Sequence, residues 1–121
     1  VQPVHPGFFA ADGRLGQVLP GFEERPSQQL FSRAVERTLR EGGVLLAEAG
    51  TGTGKTLAYL VPALELGRRV VISTGTKNLQ EQLLSKDLPI ASSALGRDLR
   101  VAVMKGRGNY LCLLRFRSFA Q

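Results

Sequence analysis

The stretch AEAGTGTGKT, Ala47 to Thr56, decides how this chain folds. Before it, VLLAE (44–48) is a short apolar run with the character of a buried strand. After it, TLAYLVPALELG reads as a helix, which Pro62 is placed to kink or end early. Between the two, Gly50, Gly52 and Gly54 let the backbone curl so that its N–H groups point inward. Those donors and the start of the following helix create a site for a polyanion. A merely flexible glycine loop has the same composition. A strand on one side and a helix on the other are the setting a phosphate-binding loop requires.

Lys55 adds a point charge that can reach β- and γ-phosphates, and Thr56 supplies a hydroxyl for Mg²⁺. Ala49, Gly50, Thr51, Gly52, Thr53, Gly54, Lys55 and Thr56 are therefore expected to hold ATP with Mg²⁺, with Lys55 and Thr56 as the catalytic pair. The strict pattern G-x-x-x-x-G-K-[ST] is not met, because Ala49 stands at its first glycine. The form A-x-x-G-x-G-K-T resembles the corresponding motif of superfamily 2 helicases.

Working outward, SQQLFSRAVERTLRE (27–41) has an apolar stripe at helical spacing: Leu30, Phe31, Ala34, Val35 and Leu39. Ser27 is expected to cap this helix and Gly42-Gly43 to stop it. RRVVIS (68–73) and residues 101–104 read as further strands. Residues 76–88 read as a helix with Leu79, Leu83 and Leu84 on one face. A polar connection over 89–100 has room for a short helix, and residues 109–119 open another. Residues 1–26 carry Gly and Pro at short intervals, which favours loops, with a helical turn at Leu15, Val18 and Leu19. The order implies an α/β fold: a partial RecA-like P-loop NTPase domain with a parallel sheet and crossover helices. Three strands are few and leave an edge open, so marginal stability is expected.

With 121 residues the chain is one domain at most. Hydrophobic residues at 43% and charged residues at 21% exclude a disordered tail. No apolar run approaches the ~20 residues needed to span a bilayer. The opening VQPVHPGFFAADG lacks the basic start and apolar stretch of a secretory signal. Cys112, the one cysteine, excludes an internal disulfide framework and a complete cysteine metal site within the chain. These features lead to an expected cytoplasmic location. The net charge of +6 suggests an anionic partner, nucleic acid first. The excess sits late, in Arg97, Arg100, Lys105, Arg107, Arg115 and Arg117 against Asp98 alone. A solvated basic face is equally compatible.

Three neighbouring segments narrow the family. LPGFEERPSQQ places Arg25, Pro26 and Gln28 before the first long helix, and looks like the R-P-x-Q element of iron–sulfur helicases in the DinG/XPD family. The resemblance sets Gln28 and Arg25 near adenine, whose edges suit a carboxamide; an exposed residue in a first helical turn is the plain alternative. VVISTGTKNLQEQLL resembles motif Ia, which puts Thr74, Gly75, Thr76 and Lys77 against single-stranded DNA. A strand-to-helix turn with Thr76 as its cap is compatible with that role. MKGRGNYLCLLRF (104–116) resembles the start of the iron–sulfur insertion, where G-R-x-N-Y-L-C presents the first cysteine of a 4Fe–4S cluster. The matching residue is Cys112, as a ligand in a full-length protein only. Lys105 and Arg107 would line the DNA path.

The resemblance spans about residues 15 to 117 and implies an ATP-dependent DNA helicase moving 5′ to 3′ in repair and replication. The acidic D-E-A-H motif, a second motor domain and the remaining cluster cysteines have no counterpart here. The expected organisation is a lead-in with the Q-motif-like element (1–26), the first part of the ATP-binding domain (27–104) and the start of the cluster insertion (105–121). The chain thus reads as an N-terminal part, inactive by itself. A phosphate-loop ATPase that does not unwind, or an inactive nucleotide- or nucleic-acid-binding fragment, are the rival readings.

Overall fold

The computed structural model describes residues 7–120; residues 1–6 and 121, with Pro3, His5 and Pro6 among them, lie outside it. Six α-helices follow in order: α1 (Arg14–Val18), α2 (Pro26–Glu41), α3 (Lys55–Glu65), α4 (Lys77–Gln82), α5 (Leu88–Leu95) and α6 (Leu113–Phe119). A single π turn, Leu83–Asp87, joins α4 to α5, so residues 77–95 form one nearly continuous helical run.

α3 is the centre. Leu57, Ala58, Leu60, Val61, Pro62 and Ala63 are all buried, which suits a sequence that is apolar nearly all round. Leu57 and Val61 enter a core with Phe8, Phe9 and Leu15 from the amino-terminal region and Ala91, Ala94 and Leu95 from α5. Phe8 and Phe9 meet edge to face with ring centroids 5.2 Å apart. The lead-in was expected to be loop; its α1 turn is present, and its two phenylalanines are core residues. Their apolar area outweighs the turn-forming residues around them. Pro62 does not end α3 at its own position, since the helix runs on to Glu65.

α2 begins at Pro26, which fills the first helical position because its missing N–H would be unpaired there anyway. Arg25, not Ser27, holds the cap position, and no side chain caps this helix end. The face α2 buries is also not the expected one. Gln28, Ser32 and Glu36 are its buried residues, and Leu30 is 72% exposed. Glu36 is satisfied by Arg40, N–O 2.8 Å one turn later. The apolar residues Phe31, Val35 and Leu39 instead line an open cavity of about 290 Å³ with Leu45 and Ala47.

The expected parallel sheet is not formed: no strand occurs among the described residues. Residues 44–48, 68–73 and 101–104 run without a hydrogen-bonded ladder, and Val44, Leu46, Val71 and Met104 are 84–94% exposed. A parallel strand draws its hydrogen bonds and its burial from neighbours on both sides. Apolar sequence alone supplies neither. A period of two survives in exposure even so. Leu45 is 37% exposed between Val44 at 87% and Leu46 at 92%, so one side of the run leans on α2. Residues 68–74 and 100–106 flank one cavity of about 820 Å³ against Leu60, Leu64 and Leu83.

Arginines close two helix ends. Arg97 donates from Nη1 and Nη2 to the carbonyls of Leu64 (3.3 Å) and Glu65 (3.2 Å) at the end of α3. Arg68 donates to the carbonyl of Leu39 (3.2 Å) near the end of α2. Cations there offset the negative pole of the helix and satisfy carbonyls that lack an intrahelical partner.

Candidate phosphate-binding site

The loop over residues 49–56 leads directly into α3. Gly52 (φ 76°) and Gly54 (φ 73°) take left-handed backbone conformations that a Cβ disfavours. Gly54 is the cap residue of α3, and its carbonyl accepts from Ala58 N–H at 3.1 Å. Thr53 Oγ1 donates to the Gly50 carbonyl at 2.9 Å, tightening the turn. Lys55 reaches back over the loop, its Nζ donating to the Ala49 carbonyl at 2.7 Å. Thr51, Gly52 and Lys55 are exposed, so the loop is open to solvent on one side.

Arg25 and Gln28 stand against the other side. Arg25 Nη1 donates to the Gly52 carbonyl. Gln28, 4% exposed, donates Nε2 to the Gly54 carbonyl at 3.1 Å, while its Oε1 is buried with no partner among the described residues. A Cβ at Gly54 would collide with the Gln28 amide nitrogen, so glycine is demanded there by contact as well as by φ. The structure therefore brings Arg25, Gln28 and residues 49–56 into one site, across 26 residues of chain for Gln28.

Sequence reasoning overlooked Tyr59. Burial raises the pKa of its hydroxyl, a hydrogen bond with Thr56 lowers it, and the charge of Asp87 raises it. Asp87 itself, at the end of the π turn, has its carboxyl pKa raised by burial against lowering by Lys86 and by a hydrogen bond from Gln82. Tyr59 lies three residues after Thr56, one turn along α3, and that spacing was the available signal.

The segment expected to face nucleic acid lies at the start of α4. Thr76 caps that helix, its Oγ1 accepting from Leu79 N–H at 3.2 Å, and Thr74 Oγ1 donates to the Thr76 carbonyl at 3.2 Å. Gly75 and Lys77 are exposed. Gln80 donates to the Met104 carbonyl at 3.0 Å, which ties α4 to the stretch leading into Lys105. Lys105 and Arg107 are exposed, in a turn closed by Lys105 N–H on the Tyr110 hydroxyl at 2.8 Å. Cys112 is exposed at the cap of α6. Among the described residues no three His, Cys, Asp or Glu side chains gather to hold a metal. One thiolate does not hold a cluster, so the residues present here fit at most one corner of it.

Among the described residues no helix is long and apolar enough to cross a membrane. No solved structure matches this chain. Residues 26–109 match the DEAD/DEAH box helicase family. The chain is 53% identical over 107 residues to the ATP-dependent DNA helicase YoaA of Escherichia coli, covering 88% of this chain and 17% of that protein. It is 46% identical over 101 residues to the ATP-dependent helicase DinG of Mycobacterium tuberculosis, covering 77% of this chain and 15% of that protein. It is also 38% identical over 106 residues to a Bacillus subtilis protein named 3′-5′ exonuclease DinG, covering 84% of this chain and 11% of the relative. The chain thus spans less than a fifth of the length of these relatives. The family match begins at Pro26 and runs through the glycine loop and the turn into α4, and the chain belongs to the DEAD/DEAH box helicase family, homologous over most of its length to the YoaA and DinG helicases.

Proposed function

We propose that these residues form the nucleotide-binding part of an ATP-dependent DNA helicase. The observation that carries this reading is the loop at 49–56: left-handed glycines, an exposed lysine and a helix start converge on one open face. The positive end of α3 and the loop N–H groups would hold the phosphates, with Lys55 supplying the mobile charge. Thr56 would be a ligand of Mg²⁺, whose chemistry is to neutralise charge between β- and γ-phosphates. Gln28 and Arg25 complete the cofactor site beside the loop.

The exposed turn Thr74–Lys77 and the basic pair Lys105 and Arg107 would meet the phosphates of single-stranded DNA without reading sequence. The hydrogen bond from Gln80 to Met104 supports treating them as one surface. The runs at 44–48, 68–73 and 101–104 are the positions a RecA-like sheet would occupy, and their alternating exposure supports that placement. Cys112 is proposed as one ligand of a 4Fe–4S cluster that needs further cysteines. The activity of the whole protein would be unwinding in the 5′ to 3′ direction, in repair and replication within the cytoplasm.

The test is ATP turnover by the complete protein with and without single-stranded DNA. Stimulation by DNA, abolished in Lys55→Ala, is expected. Turnover indifferent to DNA would favour a phosphate-loop ATPase that does not unwind, and wild-type turnover in Lys55→Ala would remove the loop from the reaction.

A further inference from the structure

We propose that Tyr59 is a positioning residue for Thr56: its oxygen, backed by Asp87 on the π turn, accepts a hydrogen bond from the Thr56 hydroxyl and so leaves the Thr56 oxygen free for Mg²⁺. The proposal rests on the reading of residues 49–56 as a triphosphate site with Thr56 as a ligand of that cation. A hydroxyl that offers a lone pair to a cation still carries a proton, and the proton needs an acceptor. In a helix the ordinary acceptor is the carbonyl four residues back. Thr38, Ser85 and Ser118 donate in this way, to the carbonyls of Ala34 (2.9 Å), Glu81 (2.8 Å) and Leu114 (3.1 Å). Thr56 is the second residue of α3, so the residue four back, Gly52, lies outside the helix. The Gly52 carbonyl already accepts from Arg25. Tyr59, one turn further along α3, shares a side-chain hydrogen bond with Thr56 instead.

The surroundings hold Tyr59 to that task. It is half-buried, with buried Ala58 and Leu60 on either side of it in α3. The π turn Leu83–Asp87 packs against α3. A π turn inserts a residue into the helical ladder and recurs at functional sites. This one ends on Asp87, which is 7% exposed and close enough for its charge to act on the Tyr59 hydroxyl. Gln82 supplies a hydrogen bond to the Asp87 carboxyl, and Lys86 adds a nearby positive charge. An O–H dipole turns its proton toward an anion. With its own proton drawn toward Asp87, the Tyr59 oxygen keeps its lone pairs for Thr56.

The experiment titrates Mg²⁺ into the complete protein with a fluorescent ATP analogue. It reads the affinity for the analogue without metal and the Mg²⁺ concentration at half effect. Tyr59→Phe keeps the ring and removes the hydroxyl. It is expected to leave the metal-free affinity at wild type and to raise the half-effect concentration about three- to tenfold, the worth of one hydrogen bond. Asp87→Asn is expected to raise it by a smaller factor. In Thr56→Ala, which has no hydroxyl to position, adding Tyr59→Phe is expected to change nothing further. A merely structural tyrosine would weaken binding with and without metal, and would do so in Thr56→Ala as well; that result would overturn the proposal. If Tyr59→Phe fails to fold, Asp87→Asn decides, and a wild-type metal response in it would overturn the proposal. If wild-type protein bound the analogue with no response to Mg²⁺, or did not bind it, the triphosphate reading itself would fall. A wild-type metal response with an indifferent Tyr59→Phe would sink only the role of Tyr59.

Discussion

Gly54→Ala tests the construction of the loop most directly. The residue sits at φ 73° and ψ 28°, the left-handed helical region. Placing an L side chain there costs about 1–2 kcal/mol in backbone strain. The new Cβ also strikes the Gln28 amide nitrogen, which has to leave the Gly54 carbonyl. A lost hydrogen bond and a stranded buried amide add about 1–3 kcal/mol. The sum, roughly 2–5 kcal/mol, is a large part of what a domain has in reserve. Ala58 is the natural reporter, because its N–H is held by the Gly54 carbonyl at 3.1 Å. Hydrogen exchange at Ala58 is expected to accelerate by at least about tenfold in Gly54→Ala, since about 1.4 kcal/mol corresponds to one decade. Gln28→Ala in the same chain removes the collision but not the strain, so the double variant is expected to recover part of the protection. Wild-type exchange at Ala58 in Gly54→Ala, or a double variant no better than the single one, would refute the reasoning.

Other outcomes follow from single contacts. Leu15→Ala opens a hole beside Phe8 and Phe9 and is expected to cost about 2–5 kcal/mol in urea unfolding, because Leu15 is 0% exposed. Leu30→Gln, on the exposed side of α2, is expected to stay within about 0.5 kcal/mol by the same measurement. Arg97→Ala removes the cation from the end of α3 and is expected to cost about 1 kcal/mol, with Arg97→Lys restoring part. Asp87 has its folded-state pKa raised from 3.8, so the folded form binds the proton more tightly than the unfolded one. Stability therefore falls as pH climbs from 3.8 through the raised value and stays lower above it. Asp87→Asn is expected to raise the unfolding midpoint at pH 7 relative to wild type, and this gain is expected to vanish near pH 3.

The curled loop into α3 was legible in residues 47–56 because its backbone is a local matter, glycines with positive φ set just before a helix start; phosphate binding there is the proposal made above. α3 was legible for the same reason, its apolar residues being continuous. The cap of α4 at Thr76 followed from one hydroxyl. What could not be read was partnership. Phe8 and Phe9 sit among turn-forming residues, and only residues far along the chain, in α3 and α5, complete the core they belong to. Gln28 and Glu36 became part of the buried face of α2 because the Gly54 carbonyl and Arg40 supply them with partners. The apolar stripe of the same helix, Phe31, Val35 and Leu39, lost its cover when residues 44–48 formed no ladder. Pairing of strands is a long-range event, and no property of VLLAE or RRVVIS contains the neighbour that would complete it.

The two ends of α3 are held by different parts of the chain, Gln28 at Gly54 and Arg97 at Leu64 and Glu65. Eleven residues of helix make a strut about 16 Å long. A strut clamped at both ends passes a push lengthwise without absorbing it. A displacement of the cationic stretch that begins at Arg97 would therefore be carried toward Gly54, where the loop gives way to the helix.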